Sequence, residues 1–146
     1  MKNYALLGLS LLLVSEATFA LTLIEKKSKA EWDAKVKTYG SHDLFKKNCG
    51  GDLSYSFDDK LITSFVKDNA NAATYADQLA GAMARMCEDA TVKKALSSKV
   101  KKMALKGAAK NDEASFKMSG SELVVTLGPS APNLEDKVKE FLENNL

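Results

Sequence analysis

Histidine occurs once in this sequence, as His42, and cysteine and proline twice each, and each scarcity closes off a class of chemistry. One imidazole and two thiols cannot furnish the Cys/His sets that hold structural zinc. A catalytic cysteine needs a histidine partner, of which there is one, and no Cys-x-x-Cys pair is present for thiol exchange. No glycine-rich phosphate loop or dinucleotide fingerprint occurs, so no cofactor is expected. Charge of one sign is lacking too. The 21 Lys and Arg against 19 Asp and Glu leave a net +2, which makes no case for nucleic acid, a partner that asks for a strongly basic face. Few prolines, clear hydrophobic periodicity and the absence of repeats or low-complexity tracts argue for a folded chain.

Long apolar runs are also scarce. The one present, Tyr4–Val14, is broken only by Gly8 and Ser10 and is shorter than the roughly 20 residues a spanning helix needs. It follows Lys2 and precedes Thr18-Phe19-Ala20, with small residues at the third and first positions before a cut. That combination is the signature of a secretory signal peptide. Residues 1–20 are therefore expected to be removed between Ala20 and Leu21, leaving one compact domain over residues 21–146, exported to the periplasm or secreted, with no transmembrane segment. No cysteine stands just after the run to carry a lipid anchor. Lys2 and Glu16 cancel, so the +2 is unchanged by the cut.

Cys49 and Cys87 both fall in the exported part, where an oxidising compartment favours pairing. With two thiols only one intramolecular bridge exists. Closing that loop stabilises the fold by roughly 4 kcal/mol on the chain-entropy model.

The periodicity predicts alternating helices and strands. Ser28-Lys-Ala-Glu31 reads as a capping box starting a helix that carries Trp32, Val36 and Tyr39 and is stopped by Gly40. Ser41 then caps a short helix to Asn48, ended by Gly50-Gly51. Leu53, Tyr55 and Phe57 alternate with polar residues as a half-buried strand. Leu61, Ile62, Phe65 and Val66 fit a helix started by Asp58-Asp59, with a hairpin strand as the alternative. Over residues 71–88, Tyr75, Leu79, Met83 and Met86 form an apolar stripe beside a small-residue stripe of Ala73, Ala80, Ala84 and Cys87. A helix follows Asp89. Residues 100–106 read either as its continuation or as a strand, and the strand is preferred because two more follow, through Phe116 and Met118 and through Leu123, Val125 and Leu127, joined by a turn at Ser119-Gly120. Pro132-Asn133 opens a last helix with Leu134, Val138, Phe141 and Leu142 on one face. The sum is an α+β domain: a small antiparallel sheet of three to four strands, covered by about five helices, with one disulfide.

The search for chemistry yields little. Ser64-Phe-Val-Lys67 and Ser98-Lys-Val-Lys101 match Ser-x-x-Lys, but the accompanying elements of that machinery are absent. His42 beside Asp43 has no identifiable nucleophile and reads as an exposed residue in a first helical turn. Asp68-Asn-Ala-Asn71 lacks the spacing of a calcium loop. One surface bias stands out: Lys93, Lys94, Lys99, Lys101, Lys102, Lys106 and Lys110 fall within eighteen residues. Such a basic patch suits an acidic protein or an anionic envelope component; the plainer reading, which is preferred because no aromatic residue interleaves the lysines, is a solvated face balanced by Glu135, Asp136, Glu140 and Glu143 in the last helix. The leading expectation is a small exported non-enzymatic protein that binds a macromolecule or acts as an accessory. The alternatives are an inhibitor or immunity-type protein that occludes a toxin or hydrolase, and a hydrolase whose active site is assembled from distant positions.

Overall fold

The computed structural model describes residues 20–146. The expected signal peptide up to Phe19 lies outside the described residues, and Ala20, beside the expected cut, is exposed. Ten elements follow in chain order: α1 (Leu23–Lys35), α2 (Gly40–Cys49), β1 (Ser54–Phe57), α3 (Asp59–Lys67), α4 (Ala72–Met86), α5 (Ala90–Lys99), β2 (Lys102–Gly107), β3 (Ala114–Ser119), β4 (Glu122–Leu127) and α6 (Leu134–Asn145). The α+β class stands, with six helices, four strands and a Cys49–Cys87 disulfide.

The sheet itself is mixed, not wholly antiparallel. Its order is β1-β2-β4-β3; β1 and β2 are parallel, β2 and β4 are parallel, and only the β3–β4 hairpin is antiparallel. The reason is the crossover. Three helices intervene between β1 and β2, and a connection of that length carries the chain back to start the next strand in the same direction. β3 passes beyond the place beside β2, and β4 turns back into it. The hairpin turn is Gly120-Ser121, one residue later than the sequence suggested, because Ser119 pairs with Glu122.

Two helix starts also differ from expectation. α1 begins at Leu23, capped by Thr22, whose hydroxyl accepts the Glu25 N–H at 3.2 Å. Thr22-Leu-Ile-Glu25 is the same capping signature as Ser28-Lys-Ala-Glu31, one and a half turns earlier, and the earlier box wins because it adds helical residues without losing any. Gly40 does not stop α1. The first helix ends near Val36, and Gly40 opens α2, with Tyr39 rather than Ser41 in the capping position. The left-handed stop falls instead on Gly50, at φ +80. Asp58, Asn71 and Asp89 cap α3, α4 and α5 through side-chain bonds to backbone N–H groups. Asn133 occupies the cap of α6 but makes no side-chain cap bond.

The helices cover one face of the sheet. Phe57, Met103, Leu105, Leu123, Val125 and Leu127 point into that layer and are buried. α4 lies at its centre, so enclosed that its residues from Leu79 to Ala84 are buried without a break. Its small residues let α2 run alongside it in close contact. The Ser41 N–H donates to Asp77 Oδ1 at 3.2 Å, Asn48 Nδ2 donates to the Ala84 carbonyl at 3.0 Å, and the disulfide closes the far end. α1 is held by Trp32, packed edge-on to Phe57 and Phe65. Glu25, the one buried acid among the described residues, pins α1 to α3 by accepting from the Thr63 and Thr22 hydroxyls. Those bonds, Thr63 foremost, hold its carboxyl below the usual carboxylate range.

Candidate functional site

Strand polarity determines which backbone groups are left for a partner. The Ser54 N–H donates to the Lys101 carbonyl at 3.1 Å, and the Asp58 N–H to the Leu105 carbonyl at 3.0 Å. In a parallel ladder alternate residues bond to the same neighbour. Ser54, Ser56 and Asp58 therefore serve β2, while Tyr55 and Phe57 turn their N–H and C=O groups away from the sheet. This free edge is not flat against solvent. A groove of about 500 Å³ separates it from the last turns of α1, lined there by Lys29, Asp33, Val36 and Lys37. A second hollow of about 360 Å³ continues it past the start of β1, and Lys37 and Ser54 line both.

The charges along this trough do not cancel. Asp33 is bound by Lys29 at 2.7 Å and Asp52 by Lys46 at 3.4 Å. Lys37 and Lys101 have no carboxylate partner among the described residues; the Lys101 ammonium donates to the Ser97 carbonyl at 2.6 Å. The trough is therefore positive beside a row of free main-chain groups.

His42 lines the same trough. It sits in the first turn of α2 as expected, but it is half-buried, and its Nδ1 lies 3.1 Å from the Tyr55 hydroxyl. Burial first, and then the Asp77 carboxylate, push the Tyr55 phenol far above the ordinary tyrosine range. The contact with Tyr55 fixes the imidazole at the groove wall. Sequence reasoning placed Tyr55 in a strand and assigned it nothing more. The partner of His42 lies thirteen residues away on another element, and no local spacing signals that contact.

The lysines divided by the fold fall into two groups. Lys93, Lys94 and Lys99 ride on α5, where the Lys99 ammonium donates to the Leu146 carbonyl at 2.6 Å. Lys102 and Lys106 lie on the open face of β2, and the strand register adds Lys117 to them: Ser56, Ala104, Val124 and Lys117 form one row across that face. Lys102 is bridged to Glu122 at 3.2 Å. Lys101 sits at the junction between the open face and the trough.

The serines of the two Ser-x-x-Lys matches are engaged elsewhere. Ser64 donates to the Leu61 carbonyl at 3.0 Å and Ser98 to the Ala95 carbonyl at 2.9 Å. Asp68 accepts from Asn111 at 3.0 Å, and Asn71 caps α4. Among the described residues no group of three or more His, Cys, Asp and Glu side chains is placed to hold a metal ion, and no helix is long and apolar enough to cross a membrane. Compared with known protein families, with characterised proteins and with solved structures, the chain shows no significant match.

Proposed function

We propose that this chain is an exported, non-enzymatic binding protein whose partner is a protein presenting an extended, acidic segment to the β1 trough. The observation that supports this reading is the coincidence, along one edge, of unpaired main-chain groups at Tyr55 and Phe57 with the uncompensated Lys37 and Lys101. A docked strand gains main-chain hydrogen bonds from the first, and acidic side chains on it meet the second. Lys106 and Lys117 on the adjoining open face extend the positive field outward and favour encounter with an acidic partner. Export rests on the signal-peptide pattern of residues 1–20, and the disulfide is compatible with that address.

The test is titration of the oxidised protein with a labelled peptide alternating glutamate and valine, alongside the same peptide with lysine for glutamate. The acidic peptide is expected to bind and to slow amide exchange at Tyr55 and Phe57. Changing Lys37 and Lys101 to Glu should weaken it about two- to thirtyfold, the sum of two exposed ion pairs. Equal binding of both peptides, or acidic-peptide binding that leaves Tyr55 and Phe57 unprotected, would overturn the assignment.

A further inference from the structure

The opposite edge of the sheet has a different character. On β3 the Gly128 N–H donates to the Glu113 carbonyl at 2.9 Å, and Ser115, Lys117 and Ser119 stand opposite Thr126, Val124 and Glu122. These alternate residues exchange bonds with β4, so Ala114, Phe116 and Met118 turn three N–H and three C=O groups outward. On the helix side the same residues are half-buried, and the Phe141 ring of α6 stacks on Phe116 with centroids 5.7 Å apart. The groove between β3 and α6, about 390 Å³, carries Lys137 and Glu140 and so no net charge.

We infer that this edge pairs antiparallel with the same edge of a second copy, joining two four-stranded sheets across a two-fold axis. Two features select a second copy as the occupant. The helix side of the edge is apolar and balanced in charge, and Lys117 on the other side can be set opposite Ser115 rather than itself, so two copies meet without repulsion, whereas the positive β1 trough would repel itself. The register is also self-complementary. Outward-facing residues must oppose outward-facing residues, and of the alignments that satisfy this, the one centred on Phe116 uses all three. It sets Phe116 against Phe116, Ala114 against Met118, and Ser115 against Lys117 of the second copy, extending the apolar layer on the helix side. Shifting by one step in one direction would oppose Lys117 to itself, which is destabilising; shifting in the other leaves Met118 facing the turn at Asp112.

This assignment is independent of the β1 trough and is tested by its own variants. Sedimentation analysis of the oxidised protein from low micromolar to millimolar concentration should show a monomer–dimer equilibrium. Met118→Pro removes an outward N–H while sparing the ladder to β4, and should give a monomer with unchanged circular dichroism. Ser115 is exposed, so substitutions there leave the fold intact. Ser115→Glu meets Lys117 of the second copy twice per dimer and should tighten association about two- to thirtyfold, while Ser115→Lys should loosen it by a similar factor. A monomer throughout the range, or a dimer indifferent to Ser115, would overturn the inference. Weakening by both charges would place Ser115 opposite itself and overturn the Phe116-centred register.

Discussion

Removing the disulfide is the perturbation whose size follows most directly from the structure. Cys49 ends α2 and Cys87 caps α4, with the two residues 38 apart in sequence and their Cα atoms 5.2 Å apart. Without the bridge the unfolded chain regains the entropy of an open loop of that length, which destabilises the folded state by about 4 kcal/mol. Both sulfurs are buried, and changing both cysteines to Ala leaves a small void that adds about 1 kcal/mol. The expected loss of about 4–5 kcal/mol is set against a total of only about 5–15 kcal/mol for a domain of this kind. In urea the midpoint should fall by about 2 M, and the slope should steepen because the unfolded chain without the cross-link is less compact and exposes more surface. On heating, the midpoint should fall by about 15 °C. Reduction of the unmutated protein should reproduce most of the effect, separating the covalent constraint from the void. A double variant within about 1 kcal/mol of the parent would refute the reasoning: it would mean that the packing of α2 on α4 already restrains the unfolded ensemble as the bridge does.

Two further outcomes are expected. Gly107 ends β2 where the strand passes over the start of α3, and a Cβ there would lie 2.6 Å from the Leu61 backbone nitrogen and 2.7 Å from the Lys60 carbonyl carbon; Gly107→Ala should cost about 1–3 kcal/mol in urea unfolding, while Gly51→Ala, where a Cβ meets nothing within 4 Å, should stay within about 0.5 kcal/mol. Because the Thr63 and Thr22 hydroxyls lower the Glu25 pKa in the folded state, its contribution is complete above the ordinary value of 4.5 and is lost as pH falls through the lowered one. Glu25→Gln should therefore flatten the acid limb of the stability profile, and an unchanged acid limb would exclude this linkage.

Much of the architecture was legible because it is encoded locally. Asp58, Asn71 and Asp89 carry side chains that bond the first free N–H groups of a helix, and any chain bearing them before an apolar period tends to start a helix there. The alternation of Leu53, Tyr55 and Phe57 with Ser54, Ser56 and Asp58 made a one-sided strand legible, and Leu53 and Phe57 are buried. The first helix start was misplaced because two capping boxes lie within ten residues, and choosing between them depends on whether Glu25 finds Thr63 on α3. The ambiguity over residues 100–106 had the same origin. Met103 and Leu105 suit either element, and what decided it was a place between β1 and β4 in which their backbone groups could be bonded.

Outside residues 100–106 and the start of the first helix, the sequence by itself determined which segments become helices and strands, which side of each strand is apolar, and, with only two thiols present, which sulfurs pair. These follow from side-chain spacing and from counting. The direction in which β1, β2 and β4 run, the neighbours each strand takes, the meeting of His42 with Tyr55 and the bareness of two sheet edges were decided by the tertiary structure alone. They depend on free-energy differences between whole arrangements of the same local pieces, set by crossover length and by how α4 fills the middle of the helical layer.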